Sequence, residues 1–465
     1  MSNNAIITMT LGDHFVFSLT PEASDYLPNY LILDQINCSL FKINLDGEPV
    51  LSAAESYEVS SDSLVWTFVL KKDLRDGYGT ELRPSTWING IKAILKDVKN
   101  IETMILLSSL FNWSNFLEGR CDLPIEINDE ERTIKFKFYK KPIGIQEYLM
   151  MPILSFWSFD EEGKLKATGK YFVANLKKSV ITLKVFESFE EEVGINEFTV
   201  RSINLTSEQD YHAARNEIII PSKSGIINPK NTSIVKSTPT WVSFVEINPY
   251  RPFINEDLLL QASLYQTLKE AREQYSINEN FEFKTTSIFY DCQNHEANEE
   301  KVAKKKINTK LKAVTNSSIV QKNNNLASYI VEYIKKNHAC EIELMYSDKS
   351  EFYLNTILNR DYDIRIGTVD AGTKPGKWVT EMMFCTKQGI SFIDKENEIE
   401  NLIKKIPEES IDEIGRIVNN ALSKHKCIVP IFNKAFVVYV GTNIDTKTVS
   451  ANNSSLRFEL IRLVV

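Results

Sequence analysis

The sequence lacks several features that would point to a particular class of protein. Its six cysteines include no Cys-x-x-Cys pair, which argues against a zinc ribbon or a thioredoxin-like motif. No apolar run approaches the ~20 residues that a membrane-spanning helix needs. Lysine and arginine together (54) are fewer than aspartate and glutamate (62), so the net charge is −8. Because nucleic-acid binding needs an excess of clustered basic residues, we expect no nucleic-acid partner.

Motifs of catalysis are also missing. The five histidines are isolated and form no His-Glu-x-x-His pattern, and there is no Gly-x-Ser-x-Gly sequence. The stretch 372–377 is too short between its glycines for a phosphate-binding loop, and Trp378 stands where a serine or threonine would bind magnesium. We therefore expect no enzymatic activity, no cofactor and no metal site.

The first residues contain no signal peptide of the usual form. The first basic residue is Lys42, and the apolar run from Ala5 to Leu11 is interrupted by Thr8 and Thr10. This run resembles a β-strand. Either the protein is cytoplasmic, or a signal peptide was removed and replaced by Met1. The scattered cysteines are expected to be buried free thiols, and a long-range disulfide is the alternative for an exported protein.

What the sequence does contain is an ordinary globular composition with strands and helices in mixed order. It has 43% hydrophobic and 25% charged residues, and 465 residues correspond to about three compact units. The patterns predict a helix capped by Asn255 and a loop over 367–377. They predict strands at 64–70, 241–247, 362–366 and 428–432. The Lys-rich stretch 300–325 is interpreted either as an anion-contacting surface or as a solvated face.

One region resembles a known family. The signature begins with Ala53-Ala54-Glu55-Ser56-Tyr57 and continues with the strand ending in Leu70-Lys71-Lys72. The turn Asp76-Gly77-Tyr78-Gly79-Thr80 and the helix that opens at Trp87 follow. This order resembles the family 5 extracellular solute-binding proteins, the peptide binders of ABC importers. Weaker similarities follow at 168–173, 244–248, 362–363 and 428–432.

The resemblance implies a mixed α/β, two-lobed fold of the periplasmic-binding-protein type (class II), with an extra subdomain in the first lobe and a hinged cleft. On this basis residues 1–44, 160–240 and 441–465 form lobe I, residues 45–159 its accessory subdomain, and residues 241–440 lobe II. Closure of such a cleft removes water from the ligand and strengthens each charge-assisted hydrogen bond. An extended peptide can be held by strand-like pairing of its backbone.

The resemblance also suggests ligand-binding residues. In lobe I these are Tyr30 and Leu31, for which core packing is the alternative. In lobe II they are Thr368, Asp370 and Gly372, for which an ordinary turn is the alternative. The tryptophans Trp241 and Trp378 are candidate apolar walls, or else core residues.

The functional expectation is therefore a monomeric solute-binding protein that captures a peptide or another small solute for an ABC importer permease. It would be periplasmic or otherwise extracytoplasmic if a signal peptide was removed. The alternatives are a cytoplasmic ligand sensor on the same fold and an enzyme that has recruited the cleft.

Overall fold

The computed structural model describes residues 6–12, 16–21, 27–95, 106–142, 144–203, 205, 211–221, 229–239, 241–251, 254, 257–277, 282–288, 302–315, 325–346, 356–357, 359–370, 380, 384, 398–405, 411–450 and 456–464. The chain divides into two compact units. Unit 1 comprises Met1–Ser222, Ile226–Lys236 and Val437–Val465, and unit 2 comprises Lys223–Gly225 and Ser237–Phe436. The finer subdivision of the first lobe at 45–159 stays a prediction.

The strands are numbered in chain order. They are β1 (Ile6–Leu11), β2 (Phe41–Ile43), β3 (Pro49–Leu51), β4 (Ala54–Val59), β5 (Val65–Leu70), β6 (Ile125–Asn128), β7 (Thr133–Lys137), β8 (Ser158–Phe159), β9 (Leu165–Lys166), β10 (Tyr171–Lys177), β11 (Val180–Val185), β12 (Glu197–Ser202), β13 (Glu217–Ile220), β14 (Thr232–Lys236), β15 (Trp241–Ile247), β16 (Glu282–Lys284), β17 (Leu311–Thr315), β18 (Ile342–Met345), β19 (Ile364–Asp370), β20 (Ile428–Lys434) and β21 (Val437–Gly441).

The α-helices are numbered in the same way. They are α1 (Leu27–Ile36), α2 (Pro84–Leu95), α3 (Trp113–Leu117), α4 (Ile145–Leu149), α5 (Leu258–Gln274), α6 (Asn325–His338), α7 (Glu398–Ile403) and α8 (Ile411–His425). Among the helices of the described residues, none is long and apolar enough to cross a membrane.

Unit 1 is built on a seven-stranded sheet in the order β10-β11-β12-β1-β13-β21-β14. Strand β1 runs parallel to both β12 and β13, whereas the other pairs are antiparallel. A separate four-stranded sheet has the order β4-β5-β7-β6. Its aromatic core includes Phe68, which packs edge-on against Phe41 and Phe136 at 5.9 and 5.7 Å between ring centroids. The dense aromatic run predicted as a strand at 64–70 supplies Phe68 to this core.

Unit 2 contains a six-stranded sheet in the order β16-β20-β15-β19-β17-β18. Its central strand β15 is antiparallel to both neighbours, and β17 runs parallel to β18 and β19. Helices α5 and α6 cover one face, because their apolar sides share a buried cluster with the sheet. The members of this cluster include Val245, Ile247, Leu264, Leu268, Leu311, Ala313, Ile330, Ile334, Ile364 and Ile366.

Helix α5 begins slightly later than the sequence suggested. Its N-cap is Asp257, whose carboxylate accepts a hydrogen bond from the Leu260 N–H at 3.0 Å, so the prediction of Asn255 as the cap was wrong. Asparagine and aspartate both accept bonds from first-turn amides, and the sequence pattern does not separate two such residues that lie close together.

The chain passes between the units through paired strands. In unit 1, β14 pairs with β21, and Lys236 lies opposite Val437. In unit 2, β15 pairs with β20, and Trp241 lies opposite Lys434. Next to the crossing, the Ser237 N–H donates to the Phe436 carbonyl at 2.9 Å, and the Phe436 N–H donates to Ser237 Oγ at 2.9 Å.

Candidate functional site

Three of the predicted ligand-binding residues meet at one end of the unit 2 sheet. Trp241, the first residue of β15, lies opposite Asp370, the last residue of β19. Thr368 lies opposite Ser243, and their hydroxyl oxygens are 3.2 Å apart. We call this the site end of the sheet. It lies at the carboxyl ends of the parallel strands β17 and β19, where ligands of open α/β sheets commonly bind.

Strand β19 is longer than the sequence predicted. A loop was expected from residue 367 onward, but the strand continues to Asp370, paired with β15 throughout. Strand β17 stops earlier, because its last paired residue is Thr315, opposite Ile366. Residues 367–370 therefore extend beyond β17, and no strand of the described residues pairs with their other edge. We call this segment the overhang.

The overhang offers hydrogen-bonding groups of the main chain. In an antiparallel pair, every second residue turns its N–H and C=O away from its partner. Two residues of the overhang therefore present these groups at the edge that β17 leaves open. Gly367 starts the overhang in a close contact, since a Cβ at this position would lie 2.9 Å from the Phe244 ring. A larger residue would displace the Phe244 ring.

Three hydroxyl side chains line one face of the site end. Thr315 lies beside Ile366, and Ser243 lies beside Thr368, so the alternation of side chains puts all three on the face covered by α5 and α6. Ser243 is 5% exposed and Thr315 is fully buried, whereas Thr368 is half-buried. We call Ser243, Thr315 and Thr368 the hydroxyl row.

Aromatic side chains lie on the same face of the sheet, next to Ser243. Phe432 of β20 lies opposite Ser243, and its ring stacks on Tyr275 at 6.0 Å between centroids. Tyr275 in turn contacts Tyr329 of α6 at 5.2 Å. Burial, with a smaller contribution from Glu282, raises the pKa of Tyr275 to about 12. These phenols therefore stay neutral at physiological pH.

The opposite end of the same strand pair is closed by a polar network. The Asn248 side-chain amide donates to the carbonyls of Arg360 and Tyr362 at 3.0 and 2.7 Å, and its oxygen accepts from the Tyr250 N–H at 3.0 Å. Asp363 accepts from the Lys312 N–H at 2.6 Å and pairs with Arg251 at 3.0 Å. We call this the far end.

At the far end, burial has the largest effect on the pKa of Asp363. Loss of hydration raises the pKa of Asp363, although the hydrogen bond from the Lys312 N–H and the charge of Arg251 act in the other direction. Two of the family-like segments, 244–248 and 362–363, meet here. The Asn248 N–H donates to the Asp363 carbonyl at 2.9 Å, so the two segments are in direct contact.

The remaining predicted residues lie elsewhere. Tyr30 and Leu31 are in α1 of unit 1, where Tyr30 is half-buried and Leu31 is 1% exposed. Leu31 thus has the burial expected of its core alternative. Trp241 is half-buried. Gly372 and Trp378 lie outside the described residues.

The interpretation of the lysine-rich stretch as an anion-contacting surface receives no support from the described lysines. Lys304 pairs with Glu270 at 2.9 Å, Lys310 with Glu343 at 2.8 Å and Lys312 with Asp361 at 3.2 Å. Lys305 also contacts Asp257. Within the described ranges, no group of three His, Cys, Asp or Glu residues is arranged to hold a metal ion.

Sequence reasoning missed Ser243 and Thr315. Ser243 lies inside the mostly buried apolar segment Trp-Val-Ser-Phe-Val, and Thr315 ends the mostly buried segment Leu-Lys-Ala-Val-Thr. A serine or threonine within an apolar strand segment could have drawn attention to these two positions. The sequence, however, does not show that Thr315 and Thr368 lie on the same face of one sheet.

The comparisons with known structures agree on the fold. The murein tripeptide binding protein MppA of Escherichia coli superimposes with a TM-score of 0.75 at 13% identity, covering 100% of this chain and 99% of that one. OppA of Haemophilus influenzae, in complex with the peptide RPPGFSPFR, gives 0.74 at 14% identity, covering 100% and 99%. A substrate binding protein from Microbacterium hydrocarbonoxydans, complexed with 4-hydroxybenzoate hydrazide, gives 0.69 at 13%, covering 99% and 100%.

The sequence comparisons give the family. No curated protein matches this chain. Residues 48–390, well over half of the chain, match the model of bacterial extracellular solute-binding proteins, family 5 Middle. The two-lobed mixed α/β fold and the family inferred from the signature at 53–92 are thereby confirmed. This chain belongs to the family 5 bacterial extracellular solute-binding proteins.

Proposed function

We propose that this protein captures a peptide or peptide-like solute and delivers it to an ABC importer. The overhang is the observation that carries this proposal. An extended peptide lying along residues 367–370 would continue the line of β17 and complete the sheet. Its backbone would use the N–H and C=O groups that β17 leaves open, which is recognition by strand addition.

Support also comes from what similar proteins bind. MppA is described as a murein tripeptide binding protein, and the Haemophilus influenzae OppA structure holds a nine-residue peptide. Backbone pairing suits such ligands, since it recognises atoms that all peptides share. Specificity then comes from the pockets that receive alternate side chains.

The test is a scan of backbone methylation. Tetrapeptides with a single N-methyl group at each successive amide are titrated against the protein by calorimetry. Because an edge strand uses every second residue, we expect affinity to fall about tenfold or more at alternate positions only. Equal tolerance of methylation at all positions would overturn backbone pairing. Binding of non-peptide solutes alone would overturn the peptide proposal.

We further propose that the protein works outside the cytoplasm as a monomer, hands its ligand to a permease and changes no covalent bond. The family description as extracellular solute-binding proteins supports this view. Mass spectrometry of a peptide recovered after prolonged incubation should show it intact. A cleaved or modified peptide, with a rate that depends on protein concentration, would instead favour an enzyme.

A further inference from the structure

The strand pair β14–β21 ends at an unusual residue pair. The two strands keep one register up to Lys236 and Val437, and in that register Ser237 pairs next with Phe436. A regular antiparallel pair of this kind exchanges two main-chain hydrogen bonds. Here the Ser237 N–H donates to the Phe436 carbonyl at 2.9 Å, but the Phe436 N–H donates to Ser237 Oγ at 2.9 Å. The serine hydroxyl therefore takes the place of its own carbonyl.

This pair also lies where the chain divides into its two units. The main segment of unit 2 begins at Ser237 and ends at Phe436. The next paired residues on the unit 2 side are Trp241 and Lys434. Three residues (238–240) separate the two pairs on one strand, whereas a single residue separates them on the other. The two ladders are thus offset by two residues, so they cannot form one continuous ribbon.

The Ser237 hydroxyl has a partner on each side. Ser237 is 7% exposed, and its hydroxyl donates to the Thr238 carbonyl at 2.7 Å while accepting from the Phe436 N–H. Thr238 is exposed, so water can replace the donor to its carbonyl. Phe436 is half-buried, and a main-chain N–H in such a place needs an acceptor. Ser237 carries two oxygens that suit this N–H, the hydroxyl and the carbonyl of a regular ladder.

Exchange between the two oxygens would redirect the chain. Turning the Ser237 carbonyl toward Phe436 rotates the peptide plane between Ser237 and Thr238. Hinges in proteins are a few residues at the ends of elements that absorb such backbone rotations. Because the chain leaves unit 1 at this point, the rotation changes the direction in which it leaves β14.

We propose that Ser237 is a two-position hinge residue, whose hydroxyl and carbonyl are alternative acceptors for the Phe436 N–H. The described structure has the hydroxyl position. Ligand capture shifts the balance toward the carbonyl position, because a main-chain pair restricts the strands more than a bond to a rotatable side chain. The inference rests on the proposed function, since a bound ligand supplies this bias. It adds the atoms at which the conformational change is made.

The test observes the Phe436 amide alone. The sequence contains one Ala-Phe dipeptide, Ala435-Phe436, so protein labelled with ¹³C-carbonyl alanine and ¹⁵N-phenylalanine gives a single HNCO signal. Hydrogen exchange of this amide is measured in the ligand-free wild type and in Ser237→Ala. Because the carbonyl can replace the hydroxyl, we expect exchange in the variant to stay within about threefold of the wild type, with the signal at a new position. A rise of about tenfold or more would show that the hydroxyl has no substitute.

Ligand binding supplies the second readout. An equimolar mixture of unmodified tetrapeptides is titrated into each protein. In the wild type, saturation should move the Phe436 signal toward the position that ligand-free Ser237→Ala already has. In Ser237→Ala the signal should hardly move. Its half-saturating peptide concentration should be about 3- to 10-fold lower, because the variant has no competing hydroxyl position.

Two variants serve as controls. Ser237→Thr keeps a hydroxyl and should reproduce the wild-type signal and the wild-type half-saturating concentration. Ser233→Ala removes an exposed hydroxyl from the same strand, β14, and should leave both quantities unchanged. An equal effect of Ser233→Ala and Ser237→Ala would contradict a specific role of Ser237.

The outcomes keep the two proposals apart. Fast exchange in Ser237→Ala, or a wild-type signal that does not move although peptides bind, would overturn the hinge proposal and leave peptide capture standing. If no tetrapeptide binds, peptide capture and the bias by ligand fail together. Exchange in the ligand-free proteins then decides by itself whether Ser237 has two positions.

Discussion

The two ends of the β15–β19 pair use polar residues in opposite ways. At the far end, the Asn248 side chain makes three hydrogen bonds, and Asp363 has both a backbone and an ion-pair partner. At the site end, Thr315 and Asn433 are fully buried, and among the described residues their side-chain polar atoms have no hydrogen-bond partner. Both ends belong to the same sheet.

This difference separates buried polar groups that stabilise the fold from buried polar groups that destabilise it. A satisfied buried amide fixes one arrangement of the chain. An unsatisfied one costs the folded chain the hydration that it has lost. Substitutions at the two ends should therefore have opposite signs.

The largest effect is expected at Asn248. In Asn248→Leu, the carbonyls of Arg360 and Tyr362 and the Tyr250 N–H lose their hydrogen bonds to the Asn248 side chain, although Arg251 Nε still donates to the Tyr362 carbonyl at 3.0 Å. Each buried hydrogen bond lost costs about 1 kcal/mol or more, so we expect the free energy of unfolding to fall by about 3 kcal/mol. Urea denaturation measures this change. A loss below about 1 kcal/mol would show that water replaces the asparagine.

The same substitution at the site end should have the opposite sign. In β20, Asn433→Leu replaces an amide with an apolar side chain of similar size, and in the described part of the chain the Nδ2 and Oδ1 atoms of this amide have no hydrogen-bond partner. We expect the free energy of unfolding to rise by about 1 kcal/mol. Asn248→Leu is the matched control, and a loss of stability in both variants would break the comparison.

Unit 2 also contains a buried histidine that links stability to pH. His338 donates from Nδ1 to the Lys305 carbonyl at 2.7 Å and accepts at Nε2 from the Thr267 hydroxyl at 2.9 Å. Burial lowers its pKa, with a further lowering from the charge of Lys304, while the contact with the Lys305 carbonyl and the charge of Glu270 oppose the shift. Below about pH 6.5 the unfolded chain therefore binds more protons than the folded one. As a result, the free energy of unfolding decreases as the pH is lowered.

The test variant is His338→Asn, which keeps a donor near the Lys305 carbonyl but does not titrate. We expect it to be about 1 kcal/mol less stable than the wild type at pH 7.5, because one hydrogen bond is lost. The gap should shrink as the pH is lowered to 5.5, since only the wild type loses stability by protonation of this residue. Urea midpoints at several pH values decide this, and a gap that widens toward acid would contradict the assignment.

The smallest effect is expected at Ser243. Ser243→Ala removes the contact with the Thr368 hydroxyl, which is only half-buried and can turn to solvent. We expect stability to change by about 0.5 kcal/mol or less. A loss above about 1.5 kcal/mol would mean that the hydroxyl row contributes to the fold as much as the far end does.

Much of unit 2 could be predicted from the sequence, and the misses have physical causes. The predicted strand at 241–247 coincides with β15 because five of its seven residues are apolar and they lie on both faces. The end of β19 was missed because Gly367 and Asp370 have weak intrinsic strand preference, and pairing with β15 holds them extended. At Asn248, the resemblance identified the residue but not its hydrogen bonds.

The sequence by itself determined the family, the mixed α/β class and three of the six described strands of the unit 2 sheet. These follow from local patterns of apolar residues and from a contiguous signature at 53–92. The tertiary structure alone decided which end of the β15–β19 pair is closed by hydrogen bonds and which is left open. The residues concerned are far apart in the chain, with Ser243 and Thr368 separated by 125 positions. Their meeting depends on the register of strand pairing, which the packing of whole sheet faces fixes and no local pattern contains.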